Sequence, residues 1–224
     1  SEGQALALAD ISTGEFRVSF ISDKNQSLES LKGEIARLKP AECILSEREE
    51  NNKELINFIK DLSIITLKKE DYFTFEICKE KLENHFGKNS IAPLLVNPEL
   101  IQASGGIISY LEETHKLVLN TINRLETYLI NDYMVLDHKT RRNLELTYNI
   151  RDGKVYGTLL WIMDKTKTSM GGRKLRQWIE QPLMKLKEIK NRLADVEELY
   201  NSFSLREKLR EKFKDIRDIE RIFM

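Results

Sequence analysis

The sequence predicts an α/β unit followed by an all-α unit, and three observations carry that reading. Short apolar runs and amphipathic segments alternate through residues 1–96, the pattern of strands layered against helices. From Pro98 onward the strand-like runs disappear and apolar residues recur at three- and four-residue spacing. Charge divides the same way: residues 1–110 hold 13 Lys and Arg against 18 Asp and Glu, a net of −5, while residues 111–224 hold 23 against 18, a net of +5. Residues 139–176 hold most of that excess, with 10 basic and 3 acidic side chains. An acidic and a basic half point to two units facing different partners.

The elements follow in order. Residues 5–11 read as a strand, residues 12–15 as a turn and residues 16–21 as a second strand, together a hairpin. Ser27 is placed to cap a helix that shares Leu28, Leu31, Ile35 and Leu38 on one face, and Pro40 ends it. Residues 42–45 form a short buried strand, and Leu55, Ile56 and Ile59 mark a second helix. A strand over 63–67 and a third helix over 78–86, closed by Gly87, complete an expected mixed sheet. Residues 100–116 are helical, with Ser104-Gly105-Gly106 leaving a place without bulk where another backbone can approach. Beyond a loop near Asn131-Asp132, Asp137 is a good N-cap for a helix over 139–147, and residues 151–153 make a turn. Residues 158–164 start another helix, and Ser169 is placed to cap the next, which Pro182 stops after Glu180. Leu186, Ile189, Leu193, Val196 and Leu199, then Leu205, Leu209, Phe213, Ile216 and Ile219, extend the helical pattern to the end.

Composition narrows the classes. An apolar share of 41% supports a packed core, 32% charged residues supply a solvated surface, and no apolar run nears the roughly 18 residues a spanning helix needs. Cys43 and Cys78 lack metal-ligand spacing and read as reduced thiols of a cytosolic protein. Ser1 opens the chain without an initiator Met and the last residues stop inside an apolar helical pattern, so both ends are expected to be internal to a longer protein.

Three constellations carry chemical readings. Asp10, on the first strand, stands where nucleases of the ribonuclease H-like kind place a ligand for paired metal ions. Converging carboxylates are scarce: Glu42 and Glu47 flank one later strand, and the next has none before Glu70 and Asp71. The alternative is a hairpin aspartate bonded to its own turn amides. Gly87-Lys88-Asn89 departs from a phosphate cradle in lacking the upstream glycine and the Ser or Thr. Gly171-Gly172, at a helix start, reads as a close-packing device or an anion site. Lys139, Arg141, Arg142, Lys165, Lys167, Arg173, Lys174 and Arg176 are the candidate contacts to a DNA backbone, with few exposed aromatics among them. The same residues also read as a solvated helix face with internal pairs such as Arg142–Glu145. His85, His115 and His138 are scattered, and no catalytic Ser-His-Asp or Cys-His set is visible.

The residues also carry a resemblance. Residues 133–146 (YMVLDHKTRRNLEL) resemble the opening of the core domain in the MutS family of DNA mismatch repair proteins. Residues 158–183 resemble the helices that follow, including the threonine-rich turn, the M-G-x-R-x-L-R-x-W run and the closing Pro-Leu. Residues 215–222 (DIRDIERI) are similar to the recurrent D-[IL]-E-R-[IL] ending, and residues 5–16 and 103–116 resemble the start and end of the family's connector domain. The likeness runs over nearly the whole chain in family order.

It implies a ribonuclease H-like connector domain with a mixed sheet over 1–116, its α/β part ending near 96, and the first part of the helical core (lever) domain over 117–224. It implies that this stretch is not catalytic, since the family's mismatch-reading motif, DNA clamp and Walker-type ATPase belong to other domains. The connector and core are expected to relay signals between mismatched-DNA binding and ATPase parts, with a hinge near 116–133, and to dock MutL. Glu47, Glu49 and Glu50 are the candidate partner surface. For the intact protein the resemblance implies ATP and Mg as cofactors, double-stranded mismatched DNA and MutL as partners, a homodimer, no membrane and a cytoplasmic location. A metal-dependent ribonuclease H-like nuclease and a stand-alone basic helical nucleic-acid-binding module are the alternatives.

Overall fold

The computed structural model describes residues 3–22, 27–130, 133–134 and 136–222. The chain divides into two compact units, Ser1–Ile130 and Asn131–Phe223.

The first unit is organised around one hairpin. Strands β1 (Gln4–Asp10) and β2 (Glu15–Ile21) pair antiparallel from Gln4 opposite Ile21 to Asp10 opposite Glu15. Gly14 closes the turn at φ +67, and a Cβ there would lie 2.7 Å from the Thr121 carbonyl oxygen, so both backbone angle and space require glycine. Strand alternation sends Phe16 and Val18 to one face of β2 and Ile21 to the other, and all three are buried. Phe16 and Val18 meet helices α3 (Phe75–Phe86) and α5 (Pro98–Thr114), together with the short α4 (Lys88–Ile91). On the other face, Leu6 and Ile21 meet Leu31 and Ile35 of α1 (Ser27–Leu38) and Leu55 and Ile59 of α2 (Lys53–Lys60). Each large side chain buried in this way contributes about 1.5–3 kcal/mol.

Small residues decide how closely α5 sits. Ala5, Ala7 and Ala9 repeat every second residue on β1 and present low relief to the cluster that contains Ile101 and Ile108 of α5. On α5 itself, a Cβ on Gly105 would fall 2.3 Å from the Cys78 Cβ and 2.6 Å from its Cα, and one on Gly106 would strike the Phe73 ring at 2.5 Å. The bulk-free place expected at 104–106 is therefore where α3 and α5 touch. Cys78, fully buried there, has its thiol raised to about 11 by burial.

The sheet departs from the sequence reading in two ways. Strands β3 (Glu42–Ser46) and β4 (Ile64–Lys68) pair parallel with each other in a separate two-stranded sheet. A fifth strand, β5 (Arg124–Thr127), adds parallel to β2 and makes the three-stranded mixed sheet β1-β2-β5. No strand is expected after Pro98 from the sequence, because β5 is four residues long and two of them are charged; its place comes from pairing with β2. The compact unit consequently runs past residue 116, through the buried Leu119 and Ile122, to Ile130.

The second unit is helical: α6 (His138–Asn143), α7 (Leu159–Met163), α8 (Ser169–Glu180), α9 (Leu186–Asn201), α10 (Phe203–Lys214) and α11 (Ile219–Ile222). Asp137 caps α6, accepting from the Thr140 amide at 2.8 Å, as its position predicts. α6 stops at Asn143, short of the expected 147, and Glu145 adopts a left-handed φ of +45. Thr158 caps α7. The cap of α8 is Thr168, whose hydroxyl accepts from the Gly171 amide at 3.0 Å; Ser169 is already the first helical residue. The helix pattern expected to run on to Ile219 breaks at Asp215, where α10 ends. The Asn131-Asp132 loop lies outside the described residues.

Replacing Gly105 by Val should lower stability by about 2–3 kcal/mol through overpacking against Cys78. Gly172→Ala, whose new Cβ would lie 3.4 Å from the Thr166 hydroxyl, should stay within about 1 kcal/mol of the parent. Thermal or urea denaturation of the two variants checks the contrast.

Candidate nucleic-acid and partner surfaces

The eight basic candidates do not behave as one set. Lys139 and Arg142 on α6, Lys165 and Lys167 in the loop before α8, and Lys174 on α8 are exposed. Arg141, Arg173 and Arg176 are half-buried and committed to contacts within the unit. Arg141 donates to the Leu136 carbonyl at 2.8 Å, which ties α6 to the chain that enters it. Arg176 donates to the Tyr148 hydroxyl at 2.9 Å, with its guanidinium 5.0 Å from the ring centre.

Arg173 is the best-anchored of them. Its guanidinium forks onto both Asp218 carboxylate oxygens at 2.8 and 2.7 Å, and also meets Glu220 at the start of α11. The Asp218 hydrogen bonds hold the guanidinium firmly charged, and Arg173 in turn depresses the Asp218 carboxyl below the ordinary range. These partners lie 45 and 47 residues away, so the spacing of the basic run gives no sign of them. The acids of the DIRDIERI segment were the available signal. Glu145 is not held for Arg142 as the internal-pair reading expects; its carboxylate accepts from the Ile150 amide at 2.7 Å.

Around this unit the aromatics are more exposed than the sequence reading allows. Tyr156 and Trp161 both reach the surface, but they pack on each other with ring centres 4.7 Å apart. Trp178 lies under the Arg192 guanidinium at 3.8 Å. The anion reading of Gly171-Gly172 loses its donors, since the Gly171 amide bonds the Thr168 hydroxyl and the Gly172 amide bonds the Thr168 carbonyl. Close packing is not their role either: Gly171 and Gly172 face the Thr166 and Thr168 side chains of their own capping loop.

In the first unit, Asp10 accepts from the Ser12 amide at 2.8 Å and from the Ser12 hydroxyl at 2.7 Å, the hairpin arrangement. Glu42 is taken by the Tyr110 hydroxyl, 2.8 Å from both carboxylate oxygens, and by Thr66. Among the described residues no three His, Cys, Asp or Glu side chains converge to hold a metal ion. Glu47, Glu49 and Glu50 fall on the 3-10 turn Glu47–Asn51 between β3 and α2, with Glu47 and Glu50 exposed and Glu49 half-buried. Arg48 in the same turn pairs with Glu70. Among the described residues no helix is long and apolar enough to cross a membrane.

The same two stretches match known domains. Residues 1–123 match the model of MutS domain II, and residues 139–224 match that of MutS domain III. The chain is 41% identical over 217 residues to a DNA mismatch repair protein MutS of Clostridium botulinum (strain Eklund 17B / Type B), covering 97% of this chain and 22% of that protein. A DNA mismatch repair protein MutS of Clostridium beijerinckii is 41% identical, over 97% of this chain and 23% of its own length. That of Desulforamulus reducens is 41% identical, over 99% of this chain and 26% of its own length. The chain thus spans about a quarter of the length of the curated relatives it matches. With both domain models matched in order along two separately packed units, the chain belongs to the MutS family and carries its domains II and III.

Proposed function

We propose that this chain is the non-catalytic connector and core segment of a MutS protein, which relays signals between mismatched-DNA binding and ATPase parts and docks MutL. The carrying observation is the coincidence of domain and packing boundaries. The two family matches, 1–123 and 139–224, fall on two units that each bury their own side chains, separated near residue 130. Two units that are each compact in themselves support a relay by relative movement. The ribonuclease H-like description of the first unit is supported by its order of hairpin, helix, strand, helix, strand and by the parallel β3–β4 pair. The connector domain is taken as 1–116 and the first part of the helical core as 117–224, while the first packed unit continues to Ile130.

In the intact protein, ATP and Mg serve an ATPase outside this stretch, and the protein works as a cytoplasmic homodimer on double-stranded mismatched DNA. Glu47, Glu49 and Glu50 remain the candidate MutL surface, where acidic side chains on an exposed turn steer a transient encounter. The reading as a stand-alone basic module finds its support in the five exposed cations alone, because Arg141, Arg173 and Arg176 serve internal contacts.

Non-specific DNA binding by this chain should be weak and fall steeply with salt; Ala at Lys139, Arg142, Lys165, Lys167 or Lys174 should each flatten the salt slope by about one. Arg173→Ala should instead lower the melting temperature by freeing α11 from α8. Salt-titrated anisotropy with matched and mismatched duplexes, beside thermal melts, separates the two roles. A tenfold preference of this chain for mismatched duplex would overturn the assignment. Reversing Glu47, Glu49 and Glu50 to Lys in the intact protein should cut MutL recruitment several-fold and leave mismatch binding within about twofold. Loss of mismatch binding with recruitment unchanged would make the first unit a spacer.

A further inference from the structure

Residues 124–130 are the last part of the chain that belongs to the first unit. β5 is an edge strand whose ladder to β2 ends at Thr127, opposite Val18. Leu125 packs against one hydrophobic cluster and Ile130 against the other, so the segment crosses from one face of the sheet to the other. Between them stands Tyr128. Its amide donates to the Val18 carbonyl at 3.0 Å, and its hydroxyl donates to Glu34 at 2.8 Å.

Glu34 is an unusual receptor for that bond. It lies on α1, is 5% exposed, and is forked by Arg37, whose side chain is only 6% exposed and whose Nε approaches at 2.9 Å. A buried carboxylate must keep its partners, and Arg37 supplies the charge. The Arg17 guanidinium lies 5.9 Å from the Tyr128 ring centre and closes the other side of the aromatic. Opening breaks the Tyr128–Glu34 hydrogen bond together with the Tyr128 amide bond to Val18 and the β5 ladder, while Arg37 keeps the Glu34 carboxylate paired.

We propose that Tyr128 is the catch of a strap, residues 124–130, which closes the first unit over α1 and β2 and opens by releasing Glu34. The catch stands two residues before the boundary of the unit. This inference rests on contacts within the first unit and does not depend on what the joined units do.

Hydrogen exchange by mass spectrometry on the 224-residue chain tests it. Tyr128→Phe keeps the ring beside Arg17 and removes only the hydroxyl; Tyr110→Phe removes a comparable hydroxyl-to-carboxylate bond, to Glu42, elsewhere in the same unit. Tyr128→Phe should speed exchange of 124–130 by about ten- to a hundredfold while the β1–β2 hairpin keeps its protection, and Tyr110→Phe should leave 124–130 at the parent rate. Unchanged exchange of 124–130 in Tyr128→Phe, or an equal rise in both variants, would overturn the proposal.

Discussion

The contact between Gly105 and Cys78 is the constraint on which the first unit depends. A side chain at 105 would overlap the α3 backbone, so α3 and α5 meet at backbone distance or not at all. That approach seals Cys78, Leu82, Ile101 and Ile108 into one cluster and sets α5 low on the alanine face of β1. With that side closed, the opposite face of the hairpin is left for α1, α2 and the β3–β4 pair, which build the second cluster. β2 lies at the centre because both of its faces are buried.

The second unit is held differently. Its helices carry few buried side chains: Leu160 is the one large apolar residue below a tenth exposed among those described beyond Ile130. Directional polar contacts define it instead, through caps at Asp137, Thr158 and Thr168, the Arg176–Tyr148 bond and the Arg173 fork onto Asp218. Arginines that look like phosphate ligands in sequence thus become the ties of the unit. The cations left exposed are mostly lysines, compact and strongly hydrated point charges rather than planar forks.

Much of this was legible in the sequence. The hairpin, α1 to α3, the bulk-free stretch of α5, the cap at Asp137 and the helix starting near 158 follow from local rules that the fold obeys. What was not legible depends on partners distant in sequence. β5 has no strand signal of its own and exists through its register with β2. The Thr168 cap differs from the expected Ser169 by one residue, since both hydroxyls suit the position and only the backbone decides. Gly171-Gly172 resembles Gly105-Gly106 in sequence, yet the first pair faces a loop, whereas Gly105 faces the α3 backbone and Gly106 the Phe73 ring. The family likeness reaches further than the pattern because it spans both units in order.

Partner docking is proposed for the first unit, while the second carries the exposed basic residues. The most direct measurement prepares residues 1–130 and 131–224 separately and titrates each with MutL and with duplex DNA. The expected result is a cooperative fold and MutL binding for 1–130, with salt-dependent DNA binding confined to 131–224. MutL bound by 131–224 alone, or DNA bound by 1–130 alone, would contradict it.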